Sequence, residues 1–413
     1  MKSSKRNITV LKQICNLIPS HLVPRLAREH GVDKKARTFS PWSHVVTLLH
    51  AQLSHALSIN DICDTLGNHP GALRDIRGAT PPKRNTLSYA SRNRDAQMAE
   101  DLFWEVFAHL QSLKSDFGFG HKYAAVPRRF KRMINALDST TIKLFANCID
   151  WARHRRRKAA AKMHLNLNMQ SFLPRVVRVK SAKGHDSGEA SRLCACLEAG
   201  EIAIFDKAYI VWDFLFDLTK REIFWVTRAK DNMDYEIVGQ HAAPKGRIIR
   251  DERIRLRGDK ASQDYPNEFR LVEADVMVNK EMRRMTFITN NFEWAASSIC
   301  ELYKSRWAIE LFFKQIKQTL QVADFLGYNE NAVRWQVWIA LLAYILLRFL
   351  GHVSAWGHSF NRLFTLLRGI LWSRLDVMDT LKFCGTACGI SIMRAAPENA
   401  YLPGLAPGWA RAI

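Results

Sequence analysis

The sequence predicts an α/β protein in which a mixed sheet lies between helical regions at the two ends of the chain. Three observations carry that prediction. Residues 1 to about 125 place apolar side chains at helical spacing. From about 133, short apolar runs of strand character take over, with helical candidates among them. Helical periodicity then returns at Ser297 and continues to about 351. With 47% hydrophobic and 10% aromatic residues in 413, a packed core is well supplied and wholesale disorder is excluded.

Within the first region, Trp42 to Leu57 carries Val45, Val46, Leu48, Leu49, Leu53 and Leu57 on a helical pattern. Ser58-Ile59-Asn60-Asp61 reads as a turn with a capping-box start, and a second short helix runs through Leu66. Gly67 and Pro70-Gly71 punctuate the chain, and a third start follows Pro81-Pro82 at Asn85 or Thr86. Lys83, Arg84, Arg92 and Arg94 flank it. Short helices with tight turns and a basic flank suit a helix-turn-helix type DNA reader. A helical bundle with ordinary surface cations fits this stretch as well, and both readings stay open.

Strand character begins at Ile134 to Leu137 and recurs at Met163 to Met169, Arg175 to Val179, Ile202 to Phe205 and Ile223 to Thr227. Ser187 to Leu197 is a helical candidate between them. Arg247 to Leu256, Phe269 to Val278 and Met282 to Ile288 are further β segments joined by polar turns. The expected organisation is a helical N-terminal DNA-binding region over 1–125 and the first part of the core over 126–228. A β-rich segment over 229–285, the second part of the core over 286–351 and a helical tail over 352–413 complete it.

Sixty-one Lys and Arg against 39 Asp and Glu leave a formal charge of +22, which points to a polyanionic partner, nucleic acid or an anionic membrane. The longest apolar stretch, Trp335 to Leu347, is shorter than the roughly 20 residues of a spanning helix, and Arg348 ends it, so a buried core helix is expected. Met1 to Arg6 is basic but leads into no signal-peptide apolar region. The eight cysteines form no CxxC pair, which speaks against a zinc module and for reduced core thiols. These features together make an intracellular protein the expectation.

Asp138 and Asp206 each follow an apolar run, and carboxylates at the ends of buried strands sit where α/β sheets place their ligand sites. Asp also commonly caps a strand or starts a turn, so either one alone would carry little. Tyr303, Arg306, Glu310 and Lys317 form a sharper pattern, falling within roughly 60° of one another on a helix beginning near Ser297. Leu302, Ile309, Phe312, Phe313, Ile316 and Leu320 fill the adjacent arc. An exposed face with an i,i+4 pair from Arg306 to Glu310 explains the charges, but not a tyrosine and a lone carboxylate among three cations, counting Lys314.

This arrangement resembles the DDE transposases of the bacterial insertion-sequence 4 family, whose catalytic core is ribonuclease H-like. The family's helix signature is Tyr, two residues, Arg, three residues, Glu, six residues, Lys, and Tyr303, Arg306, Glu310 and Lys317 match it without a gap. Asp138 before Ser139-Thr140-Thr141 corresponds to the first family aspartate, and Asp206-Lys207-Ala208-Tyr209 to the second, in an Asp-Arg-Gly-Tyr-like motif. Lys162 and His164 resemble the family's Lys-x-His strand. The likeness covers roughly 130 to 350, and the helical leader is similar to that of one branch of the family. Lys207 replaces the commoner Arg, keeping the charge but losing the bidentate fork. Asn168 stands where many relatives have Asp.

The resemblance implies that Asp138, Asp206 and Glu310 are catalytic and hold the metal. Their oxygen-only ligation suits Mg²⁺, with Mn²⁺ a substitute. Two ions roughly 4 Å apart would serve in-line attack on a phosphodiester, first by water and later by a freed 3′ end on target DNA. It implies that 229–285 is a β-rich insertion, and that Tyr303, Arg306 and Lys317, with Lys207, Tyr209, Lys162 and His164, contact DNA. Arg128, Arg129, Lys131 and Arg132, and then Arg153, Arg155, Arg156, Arg157 and Lys158, are basic runs read as a backbone track. Trp294 is a candidate for stacking on an extruded base, or for core packing. The expected partner is DNA, both element ends and target, bound by a homodimer, with neither a membrane nor a small-molecule cofactor. The expected place is the bacterial cytoplasm, on the nucleoid. A metal-dependent nuclease of the same fold and a non-catalytic DNA-binding regulator are the alternatives, and the intact triad argues against the second.

Overall fold

The computed structural model describes residues 8–34, 36–118, 127, 129–144, 153–155, 158–181, 186–278, 281–319 and 329–385, and among these described residues seven α-helices precede the first strand. They are α1 (Val10–Cys15), α2 (Leu22–Glu29), α3 (Pro41–Ser54), α4 (Ile59–Gly67), α5 (Pro70–Arg74), α6 (Arg84–Asn93) and α7 (Gln97–Leu113). Local chemistry starts several of them. The hydroxyls of Thr9, Ser40 and Ser58 accept from the amides of Lys12, Ser43 and Asp61, satisfying a donor that each helix start leaves orphaned. His55, with φ of 58°, ends α3 in the left-handed conformation. The expected helix therefore stops short of Leu57, which is 67% exposed.

Strands β1 (Ile134–Leu144), β2 (Arg153–Arg155), β3 (Lys158–Asn168) and β4 (Leu173–Ser181) follow, then the one-turn helix α8 (Ala190–Leu193) and β5 (Ile202–Phe205). Next come α9 (Trp212–Lys220), β6 (Phe224–Arg228), β7 (Tyr235–Gln240), β8 (Ile248–Leu256), α10 (Asp259–Asp264), β9 (Phe269–Val278) and β10 (Glu281–Thr289). The ten strands make one sheet in the order β2-β3-β1-β5-β6-β10-β9-β8-β7, with β4 also paired to β3. Pairing is parallel across β1, β5 and β6 and antiparallel elsewhere, the mixed sheet the sequence predicts.

The described chain falls into two compact units, residues 1–114 with 315–413, and residues 115–314. The sheet belongs to the second. One of its faces is covered by α8 and α9, where Leu137, Leu193, Phe205, Tyr209, Leu215 and Trp225 share a fully buried apolar cluster. The insertion over 229–285 is not set apart from this sheet. Its last strand, β10, starts at Glu281, runs on to Thr289, and pairs directly with β6 at Phe287 opposite Arg228. A buried fork holds its base: Arg270 Nε and Nη2 lie 2.7 Å from the two carboxylate oxygens of Asp251, both side chains being 2% exposed.

The helical stretch expected from Ser297 to about 351 is divided into several elements. Helix α11 (Ala296–Ser305) ends at Arg306-Trp307, α12 (Ala308–Lys314) follows, and a π-helical turn occupies Gln315–Thr319. Helices α13 (Glu330–Val353), α14 (Phe360–Gly369) and α15 (Val377–Gly385) belong to the first unit, so the expected core segment 286–351 is divided at 314. At 24 residues α13 is long and apolar enough to cross a membrane, longer than its apolar stretch suggested, yet it is largely buried against α3 and α7. Trp335 on it packs on His44, with ring centroids 4.6 Å apart, and donates its indole N–H to Arg94 O at 2.7 Å. It is the core helix expected there.

Candidate active site

Strand register brings the two aspartates together. The parallel ladder between β1 and β5 closes at Leu137 opposite Phe205, so Asp138 and Asp206 are the next residue on each strand. Leu137 and Phe205 both enter the buried cluster under α8 and α9; alternation turns Asp138 and Asp206 to the other face. The structure adjusts one expectation here. Asp206 directly follows β5, but Asp138 lies within β1, which continues to Leu144 along β3 after leaving β5. The parallel partner stops while the antiparallel one goes on, and the carboxylates stand at that parting.

Each aspartate is fixed by one oxygen and presents the other. Asp138 Oδ1 accepts from Ser139 N at 2.7 Å, and Asp206 Oδ1 accepts from Ala208 N at 3.1 Å, capping a 3₁₀ turn over Lys207–Tyr209. The cap reading of Asp206 is therefore true of one oxygen. Its Oδ2 faces Tyr303 Oη at 3.5 Å, the outer limit of a hydrogen bond, while Asp138 Oδ2 receives Arg306 Nη1 at 2.7 Å. Arg306 Nη2 lies 3.8 Å from Glu310 Oε1, and its guanidinium sits 5.6 Å from the Tyr303 ring centroid. The break between α11 and α12 falls at Arg306 itself, whose side chain is 9% exposed, against 19% for Asp138 and 65% for Glu310.

Burial pushes the Asp138 carboxyl above the usual range; Arg306 and the Ser139 amide pull it back in part, and Asp206 and Glu310 add repulsion. Burial would lower the Arg306 guanidinium, but the surrounding negative groups, Asp138 foremost, outweigh it and hold it firmly charged. Burial likewise raises the Tyr303 phenol, keeping it a donor. Among the described residues no three His, Cys, Asp or Glu side chains converge closely enough to make a ready metal site. The donor set nevertheless fits a hard divalent cation, being carboxylate oxygen throughout, with each aspartate tied to the backbone through one oxygen only and an exposed glutamate beside them.

The other expected contacts divide. Lys207 Nζ pairs with Asp231 Oδ2 at 2.8 Å. Tyr209, 1% exposed, is part of the apolar cluster under α8 and α9. His164, 3% exposed, sits opposite Ser139, one residue from Asp138; the pleat therefore puts His164 and Lys162 on the sheet face away from the carboxylates. Burial and register thus set these three residues apart from the carboxylate face. Lys317 is half-buried in the π-helical turn of the other unit. Asn168 Oδ1 accepts from Gln170 N and Ser171 N, a turn-holding role. Arg155 lies at the β2–β3 turn, with its side chain outside the described residues, as Arg128, Arg156 and Arg157 are altogether. Arg129 pairs with Glu301 at 2.6 Å, and Arg132 Nη1 donates to Gly200 O at 3.1 Å. Trp294 packs between Phe130 and Phe224, as core packing requires.

Two cations the sequence analysis did not single out, Arg228 and Lys230, lie beside this arrangement. Both follow the buried run of β6, the strand next to β5, so the strand-end signal that found the aspartates was available for them.

Comparison with known proteins is consistent in its direction. Residues 129–346, over half of the chain, match the family model described as transposase DDE domain, and residues 6–76 match a domain of unknown function (DUF4372). The chain is 32% identical over 60% of its length to a Sinorhizobium fredii sequence named as the transposase y4zB, covering 70% of it. It is 28% identical over 54% of its length to a Geobacillus stearothermophilus sequence named as a transposase for the element IS5377, covering 58% of it. With a Synechocystis sequence named as a transposase for the element IS4SA, it shares 23% identity over 67% of its length and 74% of the relative.

Proposed function

This chain belongs to the transposase DDE domain family, of the insertion-sequence 4 type, and on that premise we propose that it cuts DNA at the ends of an insertion sequence and joins the freed 3′ ends to target DNA, with Asp138, Asp206 and Glu310 as its catalytic carboxylates. The observation that carries this reading is the register: Asp138 and Asp206 are the first residues past the last parallel rung, on one face, with Arg306 reaching Asp138 and Glu310.

The family generally implies divalent metal ions. Asp138, Asp206 and Glu310 would hold them, Mg²⁺ in preference with Mn²⁺ as substitute, and two ions in the proposed reaction. When bound, such ions activate an attacking oxygen and neutralise charge on the leaving one. The chain's own groups do the positioning. Arg306, firmly charged and half-enclosed by carboxylates, offers its remaining N–H groups to a phosphodiester oxygen. Tyr303 stays protonated and can donate to the same region. Lys207 and Lys317 supply further charge for the DNA track, together with Arg155, Arg156 and Arg157. Two copies of the chain would pair the two element ends, which light scattering on end DNA tests: a single copy per paired complex rules that out.

The deciding experiment incubates the protein with the DNA flanking its own gene and Mg²⁺, then maps the cut strands for the wild type and for Asp138→Asn, Asp206→Asn and Glu310→Gln. Each substitution should abolish cleavage and joining while end binding persists. Full cleavage by any one variant removes that residue from the site, and cleavage without joining by the wild type makes the protein a nuclease.

A further inference from the structure

A cavity of about 340 Å³ opens between the end of β6, the start of β7 and the β9–β10 hairpin, a size within the range of small-ligand sites. Two separate chain stretches line it, and both bring cations: Arg228 and Lys230 from the core side, Arg283 and Arg284 from the hairpin. Its one carboxylate, Asp231, is already engaged by Lys207. Four positive groups thus face a single neutralised negative one.

The four are not equivalent. Arg283 pairs with Glu281, and Arg284 with Asp275 and Glu273, so their charge is largely balanced at home. Lys230 donates one proton to Ile210 O at 3.0 Å and keeps two more for another acceptor. Arg228 is half-buried and forms no ion pair among the described residues. A partly desolvated guanidinium whose neighbouring negative charge, Asp231, is already paired with Lys207 is a ready anion receptor, since the anion restores what burial removed. Leu271 and Met285 on the lining limit water access and strengthen that attraction. Asp231 on the lining pairs with Lys207, the neighbour of Asp206, and Phe287, the partner of Arg228 across the β6–β10 ladder, lies with its ring 5.1 Å from that of Tyr303, whose hydroxyl faces Asp206. The cavity therefore adjoins the carboxylate site.

We propose that this cavity is a phosphate-binding site that seats one phosphodiester of the DNA strand near the scissile bond, with Arg228 and Lys230 as its ligands. The assignment rests on the reading of Asp138, Asp206 and Glu310 as the chemical centre, which makes DNA the anion at hand. The two cations fix the backbone on the side of the site opened by the insertion, so the insertion contributes to substrate register as well as to the sheet.

The test uses the full chain and duplexes copied from the DNA flanking its own gene, each with one methylphosphonate that removes a single backbone charge. For the wild type, one position close to the cut should weaken binding about ten- to hundredfold. Arg228→Gln should show that loss on the unmodified duplex, no further loss at that position, and a salt slope smaller by about 0.9. Arg228→Lys, which keeps the charge, should restore most of the slope, and it serves as the reading should the Gln variant fold poorly. An unchanged interference profile in Arg228→Gln, or in Arg228→Lys an effect on melting alone, overturns the assignment. Asp138→Asn should keep the wild-type profile; normal cutting by that variant sinks the triad reading and leaves the phosphate site standing.

Discussion

Arg306 Nη1 lies 2.7 Å from Asp138 Oδ2 across 168 residues of chain. Both side chains are mostly enclosed, so the pair is worth more than a surface bridge and removing one member leaves a buried charge. Arg306→Ala should therefore reduce stability as well as activity, by up to roughly 3 kcal/mol at pH 7, somewhat below the range for a fully buried pair. The position at the site and the packing role are combined in one residue. Without Arg306 the Asp138 carboxyl rises further. A carboxyl raised on folding favours the fold while protonated and loses that contribution as pH rises through its folded value. The deficit of Arg306→Ala should accordingly shrink on acidification. Denaturant midpoints at pH 7 and pH 4.5 check this; an equal deficit at both would detach it from Asp138.

Glu310 and Phe312, two residues apart on α12, should separate chemistry from folding. Glu310 is exposed, so Glu310→Gln should leave stability within about 0.5 kcal/mol while ending strand cleavage. Phe312 is fully buried, its ring 6.3 Å from that of Phe172, and Phe312→Ala should lose roughly 3 to 5 kcal/mol. Melting curves beside a cleavage assay read both; a stable Phe312→Ala would mean α12 is turned the other way.

The fork between Arg270 and Asp251 is a structural counterpart of the Arg306 pair, far more enclosed and with no access to substrate. Arg270→Ala strands a buried carboxylate and frees the carbonyl of Trp294, to which Nη1 also donates at 2.6 Å. The expected loss is roughly 3 to 5 kcal/mol, whereas replacing both partners with apolar residues of similar size should recover much of it. A double-mutant cycle gives the answer, and additive losses would contradict the pairing.

Acid should loosen the helical unit. Burial, with a smaller push from His69, lowers His50 from 6.5 to about 4. Burial also lowers His44 well below its ordinary value. Unfolded histidine binds its proton near 6.5, so the unfolded chain holds more protons between that pH and about 4, and stability falls as pH falls through this window. His50→Gln should flatten the fall by up to about 3 kcal/mol at the acid end. Thermal melts from pH 7 to pH 4.5 provide the measurement, and an unaltered slope would place the proton uptake elsewhere.

What could be read from the chain was whatever a short window determines. Apolar runs located β1, β3, β5 and β6, and an aspartate following a buried run was visible as a candidate because strand ends are local. The relation of Lys162 and His164 to Asp138 was not, since one residue of register decides which face a side chain takes, and register is set by a partner strand. Strand β7 is an edge with exposed Ile237 and Val238, so it lacks the buried run that marked the others. The interruption at Arg306-Trp307 carries no Gly or Pro, and the helical period passes through it without a local sign.

The join between β6 and β10 bears on how such a protein can change. Three rungs, Val226 with Thr289, Thr227 with Ile288 and Arg228 with Phe287, tie β10, the strand that leads out of the insertion, to the strand adjoining the aspartate pair. A segment hung on linkers could be exchanged for another of any size with little effect on its host. One stitched in by a backbone ladder transmits a slip of a single residue straight to Arg228 and its neighbours. Grafting another relative's insertion onto this core would thus have to preserve those three rungs before the length or content of anything beyond them could vary.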